Sequence, residues 1–153
     1  MIEIVPYSEN HKNGVDKMME GIASEFPVSI FSKPAAVVAV PDVYWVALDD
    51  KEVVGTVAVL SRDGKYAILK KMMLKSSHRG GDKGISKLLL DTAVAWCREK
   101  GLSRIYLGTM EQFRAAQRFY EKNGFREIME SELPANFISN PVDTVFYVLE
   151  MNV

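Results

Sequence analysis

In the stretch His78-Arg79-Gly80-Gly81-Asp82-Lys83-Gly84-Ile85-Ser86, three glycines fall within five positions, directly ahead of the most regular amphipathic run in the chain. Glycine tolerates the turns that bring successive backbone N–H groups to one side. A helix N-terminus adds unpaired N–H groups and a partial positive charge, so a loop of this kind is a site for phosphate oxygens. Downstream, Ile85, Leu88, Leu89, Thr92, Ala93, Trp96 and Cys97 recur at helical spacing, Leu90 and Val94 widen the stripe, and Gly101 ends it. Upstream lies an apolar strand, Tyr66 to Lys75, and past the helix another, Ser103 to Thr109. A strand, a glycine loop, a helix and a strand form a βαβ unit whose two strands run parallel.

Working outward, the remaining elements surround that unit. Ile2 to Pro6 alternates as a strand, and its proline places it at a sheet edge or at its own end. Val15, Met18, Met19, Ile22 and Phe26 share one face of a helix that Pro27 terminates. The segment from Pro27 to Pro41 is mildly apolar and interrupted by prolines, with room for one short helix. Val43 to Leu48 and Glu52 to Leu60 are β-branched and aromatic runs that continue, through Asp63-Gly64-Lys65, into Tyr66 to Lys75 as a three-stranded antiparallel meander. Phe113, Ala116, Gln117 and Tyr120 set a second helix stopped by Asn123-Gly124, and Phe125 to Met129 and Asp143 to Met151 are the last strands. This order predicts one domain over residues 1–153, of the α/β class, with a central mixed, mostly antiparallel twisted sheet and helices on both faces. The final strand, Thr144 to Leu149, is apolar on both sides, so it is either central or covered by a second copy in a homodimer.

Composition removes several classes. A chain of 153 residues with a formal net charge of -1 gives no electrostatic reason for a nucleic-acid or anionic-membrane partner. The first residues lack a signal-peptide pattern and no apolar run spans a bilayer, which predicts a cytoplasmic protein. Two histidines and one cysteine offer no metal-ligand set, and Cys97 sits at a core spacing of its helix. Lys70, Lys71, Lys75, Lys83 and Lys87 cluster around the glycine loop; they read either as a solvated face or as an attractor of phosphates. Gly80 to Gly84 lacks the Gly-Lys-Ser/Thr ending of a nucleotide P-loop.

Three stretches in order resemble the GCN5-related N-acetyltransferases: Met72 to Gly80, Lys83-Gly84-Ile85-Ser86-Lys87-Leu88-Leu89, and Ala116 to Phe125 with its Phe119-Tyr120-Glu121-Lys122 core. The element order matches that family's fold over nearly the whole chain. The family's loop reads Arg/Gln-x-x-Gly-x-Gly/Ala. Gly84-Ile85-Ser86 fits its second half, whereas Arg79 stands two positions early, so Gly81-Asp82 resembles a two-residue insertion.

The resemblance implies acetyl-coenzyme A as acyl donor and an amine as acceptor. It places the pyrophosphate on backbone N–H groups across Arg79, Gly80, Gly81, Asp82, Lys83, Gly84, Ile85 and Ser86, with Arg79 or Lys83 adding charge and Asp82 turned to solvent or capping the helix. Met73 and Leu74 match the strand end that pairs with the pantetheine arm and offers an oxyanion donor, and Phe113, Ala116 and Phe119 line the arm from the last helix. Phe113 stands where many relatives carry Asn. Tyr120 matches the general acid; on spacing alone it would be a core tyrosine. The base is open: Glu111 is the tentative choice, Glu25 and Asp143 are weaker ones, and a water relay needs none. Few charges flank the expected acceptor side, against a polycationic acceptor. The implied function is acetyl transfer to a primary amine of a small molecule or protein in a ternary complex, and the alternative is a non-catalytic coenzyme-A-binding module.

Overall fold

The computed structural model describes residues 1–25, 40–80, 84–137 and 142–151. The expectations that rest on Phe26, Pro27, the short helix before Pro41, Gly81, Asp82, Lys83 and Ile138 fall outside those residues. One seven-stranded sheet carries the fold: β1 (Ile2–Pro6), β2 (Val43–Asp49), β3 (Glu52–Arg62), β4 (Tyr66–Leu74), β5 (Arg104–Thr109), β6 (Arg126–Ile128) and β7 (Val145–Glu150), in the order β1-β2-β3-β4-β5-β7-β6. Only β4 and β5 pair in parallel; every other neighbour is antiparallel. β1, with Pro6, is an edge strand. The turns form where the residues permit left-handed backbone: Asp50 and Lys51 (φ 48° and 76°) close β2 onto β3, and Asp63 and Gly64 (φ 55° and 63°) close β3 onto β4.

Helix α1 (Lys12–Ala23) buries Val15, Met18 and Ile22 on one face of the sheet, together with Val46, Val53 and Met110. Helices α2 (Ile85–Glu99) and α3 (Arg114–Lys122) cover the opposite face, where Leu89, Ala93 and Cys97 meet Val57, Leu69, Ile105, Tyr120 and Tyr147. Burial pushes the Cys97 thiol up to about 12, so it stays a protonated core residue. Both helices end in the same cap. The Leu102 N–H donates to the Cys97 carbonyl and the Phe125 N–H to the Tyr120 carbonyl, each at 3.0 Å, with Gly101 and Gly124 in left-handed backbone between them. β7 lies between β5 and β6 with Phe146, Tyr147 and Val148 buried, so its two apolar faces are covered within the chain. No second copy is needed to cover them.

The pairing of β3 with β4 is irregular at the level of the β4–β5 crossover. Ala58 opposes Lys70 and Thr56 opposes Met73, so β4 holds one residue more than β3 between these pairs. The extra residue is accommodated at Lys71, whose φ is 54°. The buried Thr56 hydroxyl donates to the Lys71 carbonyl at 2.6 Å and fixes the bulge. Face alternation inverts there: Leu69, Met72 and Leu74 face α2, while Ile68 and Met73 face the other way.

Candidate active site

β4 and β5 are joined through Ala67–Ile105 and Ile68–Tyr106 alone among the described residues. Past Ile68 the bulge turns β4 away, and a cleft of about 940 Å3 opens between the two strand ends. Leu69 to Leu74 form one wall and Leu107 to Met110 the other, with the start of α2 and the inner face of α3 closing the ends. The volume suits a ligand larger than a single amino acid.

Of the sequence-predicted positions, Met73, Leu74, Arg79, Gly80, Gly84, Ser86, Phe113, Ala116, Phe119 and Tyr120 all line this cleft. Ile85 does not; its side chain is fully buried in the core under α2, so it presents only backbone. Gly84 is the N-cap of α2 in left-handed backbone (φ 63°) and has no side chain with which to cap. The first intrahelical bond runs from Leu88 N–H to the Gly84 carbonyl, which leaves the first-turn N–H groups of Ile85, Ser86 and Lys87 without helical partners. On β4, the Lys75 N–H donates to the Val54 carbonyl at 2.7 Å. By strand alternation the Met73 peptide also faces β3, so the Leu74 peptide, rather than Met73's, faces the cleft side.

Arg79 is engaged differently from the sequence expectation. Its Nε donates to the Leu74 carbonyl at 2.9 Å and its two terminal nitrogens to Glu25 at 2.6 and 3.0 Å. Its charge is therefore already balanced by a carboxylate from just past the end of α1. The described lysines of the cluster divide: Lys75 pairs with Glu52 outside the cleft lining, whereas Lys70, Lys71 and Lys87 line the cleft, Lys87 paired with Asp91, Lys70 against the Phe137 ring and Lys71 over the Tyr44 ring. His78 bonds Asp49 through Nε2 at 2.8 Å, away from the cleft lining.

Tyr120 is 5% exposed, packed against Phe119, Phe125 and Tyr147 with ring centroids 5.5 to 6.0 Å away. Burial, with the Asp143 charge adding to it, pushes its phenol well above the ordinary value, so the hydroxyl keeps its proton at neutral pH. Glu111, the tentative base, stands exposed in the turn after β5 and is not among the lining residues; its carbonyl accepts from the Gln117 side chain at 3.2 Å. Among the described residues the carboxylates that line the cleft are Glu25 and Asp143. Asp143 crowds Gly108 so closely that a Cβ there would stand 2.6 Å from its Oδ2. A glycine inside a strand is the cue to such a close approach, and Gly108 was that cue. Asn123, read from sequence only as a helix stop, also lines the cleft, with its Nδ2 donating to the Phe119 carbonyl at 2.8 Å.

Among the described residues no helix is long and apolar enough to cross a membrane, and no group of three or more potential metal ligands is present. The family model described as Acetyltransferase (GNAT) family matches residues 16–125. The chain is 34% identical over 108 residues to N-acetylaspartate synthetase of Danio rerio, covering 68% of this chain and 37% of that protein. It is 32% identical over 93 residues to N-acetyltransferase 8B of Homo sapiens, covering 58% of this chain and 40% of that protein. The chain thus spans about two fifths of the length of these curated relatives. Among solved structures, an acetyltransferase of the GNAT family from Staphylococcus aureus Mu50 superposes with a TM-score of 0.83 at 27% identity, over 99% of this chain and 100% of that one. PaiA N-acetyltransferase from Thermoplasma acidophilum, in complex with coenzyme A, shares the fold with a TM-score of 0.73 at 16% identity, over 98% of this chain and 99% of that one.

Proposed function

The chain belongs to the acetyltransferase (GNAT) family, and on that premise we propose that it transfers an acetyl group from acetyl-coenzyme A to a primary amine, directly, within a ternary complex. The observation that carries the reading is the fork between β4 and β5, with Tyr120 lining it and the side-chain-free start of α2 at its mouth.

The residues present fit the coenzyme. The Leu74 peptide faces the cleft without a β5 partner among the described residues, which suits an arm built of amides. The first-turn N–H groups of α2 suit a pyrophosphate. The complexes of PaiA with coenzyme A and of an Elizabethkingia anophelis GNAT acetyltransferase with acetyl-coenzyme A support the same choice of donor. When bound, the coenzyme supplies a thioester-activated acetyl group.

Asp143 is the carboxylate in reach of the amine, directly or through water, and takes its proton. The Leu74 N–H donates to the carbonyl oxygen as negative charge develops on it. Tyr120, kept protonated by burial, gives its proton to the departing thiolate. The test is release of free thiol from acetyl-coenzyme A with a panel of amines. Amine-dependent release that falls sharply in Tyr120→Phe is expected; tight coenzyme binding with no amine-dependent release, unchanged by Tyr120→Phe, would leave a non-catalytic coenzyme-binding module instead.

A further inference from the structure

Neighbouring residues of a regular strand point to opposite faces of the sheet. Lys70 and Lys71 do not, because the bulge intervenes. Lys70 stands in the cross-strand row Tyr44–Ala58–Lys70 and so shares the face of Tyr44, with its Nζ 6.0 Å from the centroid of Phe137. Lys71, in the bulge itself, carries its Nζ 5.7 Å from the centroid of that same Tyr44. Both ammonium groups therefore emerge on the α1 face of the fork, and both residues line the cleft. The start of α2, where phosphates fit, belongs to the opposite face.

An acceptor meeting a thioester held in the fork approaches from the α1 face, so these two cations belong to the acceptor. Two lining carboxylates stand against them, Glu25 and Asp143, but Glu25 is already bonded by both terminal nitrogens of Arg79. Of the two, Asp143 is the one whose charge acts on Lys70, and among the described lining residues of this end two lysines against one carboxylate leave a positive charge in excess. A simple protonated amine is repelled by that excess. An amine that brings its own anion satisfies both signs, with its nitrogen toward Asp143 and Tyr120 and its anion on the lysines.

We propose that the acceptor is a small amine bearing a carboxylate close to its nitrogen, of the α-amino-acid type, and that Lys70 and Lys71 are the residues that select it. The inference rests on the N-acetyltransferase reading above. Lys70 is also partly desolvated, its ammonium pushed below the ordinary lysine value by burial, which strengthens its interaction with a matching carboxylate.

The experiment compares matched acceptors, an α-amino acid, its carboxamide and its decarboxylated amine, by acetyl-coenzyme-A-dependent thiol release. Wild-type protein, Lys70→Met, Lys71→Met and the double variant are each assayed. The expected wild-type preference for the acid is about tenfold or more in kcat/KM, the size of a charge-assisted contact. In the lysine variants the acid-to-carboxamide ratio collapses toward one, and Lys71→Arg restores it. Because Lys70 is half-buried, calorimetric binding of the N-acetylated acid against its carboxamide to wild-type protein gives a second reading that needs no variant, the acid binding tighter. Equal turnover of all three acceptors, or an acid preference surviving in the double variant, overturns the lysine assignment and leaves the acetyltransferase standing. The absence of amine-dependent thiol release with every acceptor overturns both.

Discussion

Thr56→Val is the perturbation that isolates the bulge. The Thr56 side chain is fully buried and its hydroxyl bonds the Lys71 carbonyl at 2.6 Å, while valine keeps the shape and loses the donor. The orphaned carbonyl costs about 1–2 kcal/mol, and Lys71 already sits in left-handed backbone that a side chain adopts at a further cost of about 1 kcal/mol. A chain of this size then melts about 2–8 °C lower, at about 2–4 °C per kcal/mol. The loss of activity is expected to exceed what stability explains. If Lys71 leaves the bulge, the alternation of Met72 to Leu74 reverts, and the Leu74 peptide and Lys71 leave their places. Thermal melting paired with thiol-release kinetics reads both effects, with Thr56→Ser as the control that keeps the donor and loses only a methyl group. The Ser variant is expected to retain kcat/KM for the acceptor while Val loses about tenfold or more, the scale of one misplaced charge-assisted contact. A Val variant with the melting temperature and acceptor kinetics of the wild type would refute the role given to this hydroxyl.

Tyr120→Phe is expected to lower kcat about a hundredfold, the usual scale of a positioned acid, while circular dichroism shows the fold retained; an unchanged kcat removes Tyr120 from the chemistry. Gly108→Ala drives a methyl into Asp143, and with Asp143 displaced, acetyl transfer should fall at neutral pH and recover as rising pH deprotonates the free amine; a pH-independent loss would argue against Asp143 as base. Lys70, with Asp143, Lys71 and Phe137 around it, has its ammonium pushed down from the lysine value of 10.5, chiefly by burial and further by the Lys71 charge, with Asp143 opposing. Its charged form therefore weighs against folding at neutral pH, and that penalty fades as pH rises through the lowered value. The stability gained by Lys70→Met over wild type in urea melts should shrink on the alkaline side, and KM for a carboxylate acceptor should rise there before ordinary lysines titrate. The opposite slopes would contradict the assignment.

Period and turn chemistry carried most of the fold. Pro6 confined β1 to an edge or to its own end, Asp63-Gly64 located a hairpin, and Gly101 and Asn123-Gly124 located two helix ends, because each rests on a local backbone demand that few residue types meet. The resemblance of Ala116 to Phe125 carried Tyr120 into the site. The bulge was not legible. Ile68 to Leu74 contains neither glycine nor proline, and two adjacent lysines between apolar pairs give no alternation from which an extra residue could be read. Without the bulge, Lys70 and Lys71 read as part of a basic patch on the phosphate loop, when two of that patch pair with acids elsewhere and these two lie on the other face. Glu111 failed to reach the cleft for a similar reason: proximity in sequence to the end of β5 does not fix which way the following turn points, whereas Asp143, distant in sequence, is brought in by β7 pairing with β5.

The same opening bears on stability. Where β4 leaves β5 after Ile68, the Leu74 peptide loses the ladder that would have satisfied it, and its carbonyl recovers one partner through the Arg79 Nε. The remaining deficit is one that a chain of ligand amides laid along β4 repairs, so coenzyme binding and sheet completion are one event. At 100 times its dissociation constant a ligand of the native state adds about 2.7 kcal/mol, which corresponds to a rise of about 5–11 °C in melting temperature for a chain of this size. Coenzyme A and 3′-phosphoadenosine 5′-diphosphate share the phosphates that the start of α2 would hold, and only the first has the pantetheine arm. The whole coenzyme is expected to raise the melting temperature well beyond the truncated nucleotide at equal concentration, with β4 amides near Leu74 gaining hydrogen-exchange protection only with the arm present. Equal shifts from the two ligands would mean that the loop alone does the binding and that the fork is not where the arm lies.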